Sequence, residues 1–320
     1  MLGIESTADV FAIGLSDTSE ADILDFSSKY ESEKGGILPR EAAEHHSKVA
    51  PEVLRDALTA IDPSSLVGIA FSMGPGLGPS LRAGATIART LSSYMNLPLY
   101  PVHHAVGHIE LGKHLTGAKN PLTVVVSGGH TLLTALEKHR YRIYGETLDI
   151  TLGNLFDMFM REVGYSSPSG HILEKKAKKT NEYIDLPYTV KGPDLSFSGL
   201  LTAAKKELEK RKNLELLCNS LQETAFAMLA EVTERILVHT GKENLLLVGG
   251  VANNARLKEI LNAVASEHEA TFHWIEKWND DNGAQIAYVG TLRHRHGENI
   301  KIEESLVRPS WRLDEVQIPW

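Results

Sequence analysis

The chain carries the same order of strand and helix signals twice, and that duplication limits what it can fold into more than any single motif does. In the first half, Leu2-Gly3-Ile4-Glu5 and Val10-Phe11-Ala12-Ile13-Gly14-Leu15 read as two strands around the polar turn Ser6-Thr7-Ala8-Asp9, and Ile23-Leu24-Asp25-Phe26 as a third. Pro39 opens a helix to about residue 60, because proline suits a first helical turn and apolar residues then recur at helical spacing. A strand over 66–71, a helix over 81–94, a strand over 97–102 and a histidine-bearing helix complete the order βββαβαβα. The second half repeats it. Strands are expected at 122–126, 131–136, 141–144, 245–248 and 271–275, and helices at 152–163, 214–239, 254–265 and 283–292. An irregular, lysine-bearing and polar insertion lies near 164–212. Two similar α/β lobes facing a cleft, 1–118 and 119–320, are the architecture this order predicts.

His104 and His108 are four residues apart, so a helix places both imidazoles on one face within reach of a single metal ion. Two ligands do not close a site, and a third must fold in from elsewhere. Alone, the pair reads equally well as incidental histidines on a surface helix, in a chain that holds 14. Glu5-Ser6-Thr7 and Ser127-Gly128-Gly129 occupy equivalent strand ends in the two halves. Glycine lets backbone amides approach a phosphate, and hydroxyls add donors. Gly249-Gly250-Val251 precedes a helix whose amino end offers free N–H groups. Each turn by itself reads as an ordinary one; three at corresponding strand ends point to a nucleotide cleft.

Composition narrows the function classes. With 42% hydrophobic and 23% charged residues the chain can bury a large core, and no apolar run reaches the ~20 residues that span a bilayer. A cytoplasmic, membrane-free protein is expected. Cys218, the single cysteine, forms no internal disulfide and suits buried packing. The net charge of −8 argues against a generally basic nucleic-acid coat. Local clusters remain at Lys175-Lys176-Ala177-Lys178-Lys179, Lys205-Lys206, Lys210-Arg211-Lys212 and Arg293-His294-Arg295-His296, readable as phosphate contacts or as solvated faces.

Seven segments together resemble one family. They are Gly3-Ile4-Glu5-Ser6-Thr7, Gly36-Ile37-Leu38-Pro39-Arg40-Glu41-Ala42-Ala43-Glu44-His45-His46, Gly74-Pro75-Gly76-Leu77, His104-Ala105-Val106-Gly107-His108, Val126-Ser127-Gly128-Gly129, Gly249-Gly250-Val251 and Asp281-Asn282-Gly283-Ala284. The family is the universal tRNA threonylcarbamoyltransferases, called TsaD in bacteria and forming the catalytic subunit of the KEOPS complex in archaea and eukaryotes. Arg40-Glu41-Ala42 and the double histidine resemble the archaeal and eukaryotic branch. The resemblance covers nearly the whole chain and implies the actin-like, Hsp70-like (ASKHA) ATPase fold. It implies transfer of threonylcarbamoyl from threonylcarbamoyl-adenylate to N6 of the adenosine after the anticodon, in tRNAs reading ANN codons.

By motif, the resemblance makes His104, His108 and Asp281 the ligands of one divalent ion, Fe2+ or Zn2+, and sets Glu5 beside them among the catalytic residues. It assigns Val125, Val126, Ser127, Gly128 and Gly129 to the adenylate phosphate and metal, and Asp157 and Glu174 to the ribose. Gly170, Gly249, Gly250 and Asn254 complete the ATP or adenylate contacts between the lobes. Three positions depart from the archaeal pattern: Val125 stands where a metal-contacting tyrosine is common, and His130 and His103 where asparagine is. Three protein ligands are therefore expected. Implied partners are tRNA, a small atypical protein kinase and small accessory proteins, and the tail from Trp311 to Trp320 resembles the join to a fused kinase. Two other readings are a nucleotide-binding regulatory scaffold and a metallopeptidase, the latter lacking the glutamate that should follow His104.

Overall fold

The computed structural model describes residues 1–19, 22–32 and 35–320. Its first sheet holds β1 (Leu2–Glu5), β2 (Val10–Ser16), β3 (Ile23–Lys29), β4 (Ile69–Gly74) and β5 (Leu99–His103) in the order β3-β2-β1-β4-β5. The second holds β6 (Leu122–Val126), β7 (Thr131–Glu137), β8 (Arg140–Glu146), β11 (Asn244–Val248) and β12 (Thr271–Trp274), ordered β12-β11-β6-β7-β8; the two-residue strands β9 (Val190–Lys191) and β10 (Asp194–Leu195) pair separately. Read from the opposite edge, the second order repeats the first. The duplication extends to direction, since β1 and β6 each pair antiparallel with the next strand and parallel with the strand after the first helical connection. This is the two-lobed α/β arrangement of the actin-like ATPases.

The helices are α1 (Pro39–Thr59), α2 (Gly78–Met95), α3 (His104–Thr116), α4 (Leu152–Arg161), α5 (Gly170–Ala177), α6 (Ser198–Arg211), α7 (Leu214–Thr240), α8 (Ala255–Glu267) and α9 (Gly283–Arg295). Two of them carry no polar face. Residues 104–112 of α3 and 283–293 of α9 are buried without interruption, as a helix enclosed on all sides must be. Strands of the first sheet all precede residue 118 and those of the second all follow it, but α9 returns to the first sheet. A Cβ on Gly3 would lie 2.1 Å from the backbone nitrogen of Ala287, and one on Gly14 2.1 Å from the carbonyl carbon of Gly283. Only glycine permits that approach. Reciprocally, α3 reaches the second sheet, where a Cβ on Gly112 would lie 2.7 Å from Val248 Cγ1.

Two expectations change. The strand placed at 66–71 is β4, shifted to Ile69–Gly74, because Leu66 instead closes a 3-10 turn by donating its N–H to Pro63 O at 3.3 Å. The insertion near 164–212 is not irregular throughout: it contains α5 and α6. Each buries a thin stripe, Leu173 and Ala177 in α5 and Leu200, Leu201 and Ala204 in α6, too narrow to stand out among the lysines. The carboxy-terminal segment straps the two lobes, with Arg308 N–H donating to Met73 O at 2.8 Å and Ile318 N–H to His139 O at 2.9 Å.

Candidate metal centre and cleft

The crossing of α3 and α9 builds the centre. His104 is the first residue of α3 and His108 lies one turn on, while Asp281 precedes Asn282, whose side-chain oxygen caps α9 by accepting from Gln285 N–H at 2.8 Å. The Nε2 atoms of both histidines lie 3.3 Å from the same Asp281 oxygen, Oδ1. One ligand atom from each residue falls within 4.8 Å of the others, a spacing suited to one shared ion. Behind them, Glu5 is fully buried and its Oε2 sits 3.0 Å from His104 Nδ1, with Thr7 Oγ1 at 3.3 Å. A carboxylate accepting from Nδ1–H leaves the Nε2 lone pair facing inward, which is how a metal-binding imidazole is normally held. The residues therefore fit a divalent ion by donor set, convergence and support.

Electrostatics agree. Burial pulls the His104 pKa down, but Asp281 and Glu5 together outweigh it and hold the imidazole well above its ordinary range. Asp281 is pressed in the opposite direction: burial raises it, and His104 and His108 drive it well below the carboxylate range. His104 and Asp281 are thus pressed together around a proton that a cation would replace.

In front of this centre opens a cleft of about 880 Å³ between the lobes. His104, Ser127, Gly128, Gly129, Asp157, Gly170, Glu174, Gly250, Asn254 and Asp281 all line it. Asp157 uses Oδ1 to accept from Ser169 N–H at 2.7 Å, and Glu174 uses Oε1 for Ala255 N–H at 3.1 Å. Each thereby holds its orientation with its second oxygen unspent on those bonds. Asn254 is committed to the fold: its Oδ1 caps α8 through Arg256 and Leu257 N–H, and its Nδ2 donates to Gln222. Val125 and Val126 lie elsewhere, fully buried in hydrophobic clusters on opposite sides of β6. Gly249 is likewise behind the wall, in the left-handed region at φ 97°, where a Cβ would strike Val126 O at 2.4 Å.

The two departures at histidine are resolved locally. His103 caps α3, Nδ1 accepting from Ala105 N–H at 3.2 Å while Nε2–H donates to Trp311 O at 3.1 Å. His130 stacks beside His104 with ring centroids 6.0 Å apart. Burial, with the neighbouring His104 and His108, lowers its pKa to about 3, so it stands neutral in the cleft.

Sequence reasoning passed over Asp9, Lys29, Arg161 and Asp280, all of which line the cleft. Asp280 had a signal, adjacency to Asp281. Lys29 had a subtler one, its register opposite Val10 at the end of the β2 and β3 ladder. The basic clusters are partly ion-paired, six of the nine lysines and arginines in the first three meeting four carboxylates. Lys176 and Lys179 meet Glu215, Lys178 meets Glu174, Lys205 meets Glu162, and Lys210 and Arg211 share Glu207. In the fourth cluster Arg293 is buried and His294 hydrogen-bonds to Tyr100 at 2.7 Å.

Residues 21–288 match the sequence family described as TsaD, tRNA N6-adenosine threonylcarbamoyltransferase. The chain is 51% identical over 335 residues to a tRNA N6-adenosine threonylcarbamoyltransferase of Staphylothermus marinus, covering 100% of this chain and 99% of that one. It is 47% identical over 323 residues to a probable bifunctional tRNA threonylcarbamoyladenosine biosynthesis protein of Methanothermobacter thermautotrophicus, covering 100% of this chain and 60% of that longer protein. The fold is similar to that of T. kodakarensis HypF, with a TM-score of 0.65 at 14% identity over 96% of this chain and 49% of that one.

Proposed function

The chain belongs to the tRNA N6-adenosine threonylcarbamoyltransferase family, and from that premise we propose that it transfers threonylcarbamoyl from threonylcarbamoyl-adenylate to N6 of the adenosine following the anticodon, in tRNAs reading ANN codons. The observation that carries this reading is the convergence of His104, His108 and Asp281 at the head of a cleft lined farther along by the Ser127-Gly128 turn, Asp157 and Glu174.

In the reaction, N6 attacks the carbamoyl carbon and a C–N bond forms. The bond from that carbon to the phosphate oxygen breaks, AMP leaves with the electron pair, and N6 gives up one proton. His104, His108 and Asp281 would hold a divalent ion, Fe2+ or Zn2+, and such an ion supplies Lewis acidity toward the oxygens beside the reacting carbonyl. Glu5 keeps His104 in the ligating tautomer. Gly128 and Gly129 leave the phosphate turn free of side chains, and Asp157 and Glu174 present carboxylate oxygens to the ribose hydroxyls. Adenine N6 is a poor nucleophile, so positioning within the cleft supplies much of the acceleration. Ala105 stands where a zinc peptidase would carry its glutamate base, and the cleft serves transfer, not proteolysis.

The chain works in a KEOPS-type complex with a small atypical kinase and accessory proteins, which supply much of the grip on tRNA in the cytoplasm. Support comes from the ion pairs that occupy much of the basic clusters and from the longer relative named bifunctional. Among the described residues no helix is long and apolar enough to cross a membrane. The test is reconstitution with those partners, tRNA, threonine, bicarbonate, ATP and the adenylate-forming enzyme. Modified adenosine should form, and His108→Ala should lose bound metal and at least about 1,000-fold in transfer, the scale of Lewis-acid stabilisation. Unchanged product with His108→Ala would overturn the reading.

A further inference from the structure

We propose that Lys29 is the specificity-determining residue for the amino-acid end of the adenylate, receiving the carboxylate of its threonine. The assignment rests on the transfer reading above and deepens it. Threonylcarbamoyl-adenylate carries two anions, a phosphate in its middle and a free carboxylate at the end remote from the nucleoside. The first is met by the centre and the Ser127-Gly128 turn; the second needs a partner of its own.

Among the described residues lining the cleft, two carry a permanent positive charge, Lys29 and Arg161. Arg161 lies on α4 one turn beyond Asp157, and a Cβ on Gly36 would lie 2.9 Å from its Nη1. That places it with the ribose-holding carboxylates, at the nucleoside end. Lys29 ends β3 in register with Val10, next to Asp9, and Asp9 follows by two residues the Thr7 whose hydroxyl is 3.3 Å from His104 Nδ1. Lys29 is therefore the cation on the metal side, where the chain of substrate atoms leaves the reacting carbonyl away from the nucleoside.

The surroundings show why a cation is needed there. Asp9, Asp280 and Asp281 all line the cleft at this end. An incoming carboxylate would meet like charge without a counterion. The Lys29 ammonium sits 3.6 Å from Asp9 Oδ2, with its side chain 42% exposed and that of Asp9 14% exposed. At that distance Asp9 is an ion-pair partner that anchors the side chain, and the ammonium keeps hydrogen-bond donors to offer a ligand. A charge-assisted bond to a carboxylate is among the stronger polar contacts, and a neutral analogue would forfeit it.

The experiment compares two substrates of the reconstituted complex, L-threonylcarbamoyl-adenylate and its neutral counterpart made from threonine amide, by kcat/KM. Wild-type protein should prefer the carboxylate by about 10- to 100-fold. Lys29→Met should shrink that preference to within about threefold, while Lys29→Arg should retain most of it. Metal content should equal wild type in both variants, which separates the effect from damage to the His104 centre. Arg161→Met should keep the preference. A Lys29→Met protein that still prefers the carboxylate as wild type does, or a preference lost in Arg161→Met instead, would overturn the assignment. Wild-type protein that modifies tRNA from neither substrate would refute the transfer reading and carry this assignment with it.

Discussion

Glu5-Ser6-Thr7 runs from the last residue of β1 and Ser127-Gly128-Gly129 follows β6, equivalent points of two sheets with the same strand order, yet the two turns differ in what surrounds them. The first is sealed beneath the crossing of α3 and α9. Glu5 accepts from Thr7 N–H through Oε1 at 2.6 Å and faces His104 through Oε2, with no solvent exposure. The second is open: Gly128 and Gly129 are exposed, and Ser127 Oγ steadies its own turn by accepting from Gly129 N–H at 3.1 Å and His130 N–H at 3.0 Å. Duplication supplied two turns at one cleft, and burial divided their work. One became a rigid support for His104, and the other kept an exposed backbone.

Substitutions can break that contrast, beginning with the packing that seals the first turn. Gly3→Ala should destabilise the protein by at least about 3 kcal/mol or prevent folding, because the added carbon meets backbone of α9 and cannot be relieved by a rotamer change. Thermal denaturation would show it, and a melting temperature near wild type would mean that α9 does not lie against β1.

The next effect is pH-dependent. His46 is fully buried and its Nε2–H donates at 3.1 Å to Ala8 O, in the loop that continues the first turn. Burial lowers its pKa from 6.5 to about 4. The unfolded chain then takes up a proton that the native one refuses. The stability this imidazole contributes is full above pH 6.5 and is lost as pH falls toward 4, a loss of about 3 kcal/mol. Denaturant titrations of wild type and His46→Gln across that window should differ in slope, and equal slopes would remove His46 as the cause.

Glu5→Gln should weaken metal binding by about 10- to 100-fold while leaving all three ligands in place. Competition against a chelator measures it; unchanged affinity would show that Glu5 does not orient His104. The mildest change belongs to the open turn. Gly128→Ala adds a carbon with no heavy atom within 4 Å, so stability should stay within about 0.5 kcal/mol of wild type while KM for the adenylate rises several-fold. An unchanged KM would remove this turn from the phosphate.

Much of this was legible because the signals are local. Helical spacing put His104 and His108 on one face, Pro39 marked the start of α1, and Gly249 marked a turn that only a left-handed residue makes. Val125 shows where local reading stops. The apolar run of β6 says that it is buried, but not that it faces the first lobe's cluster instead of the cleft. The lysines of the insertion show the same limit, since Lys176 and Lys179 reach Glu215, and Lys205 reaches Glu162, only through folded geometry. Lys29 could be placed at the cleft only once β3 was set in register against β2.

The sequence by itself determined the duplicated order of elements, the strand-end turns and the spacing of the histidine pair, because periodicity and turn chemistry depend on residues within a few positions of one another. Only the tertiary structure decided that α9 returns to the first sheet, bringing Asp281 to His104 and His108 and burying Glu5 behind them. That choice depends on the close approach allowed by Gly3 and Gly14, more than 260 residues before the helix they admit, and no local pattern contains it. Burial at the crossing then sets which groups hold protons, so the chemistry of the centre belongs to the packing as much as to the residues that form it.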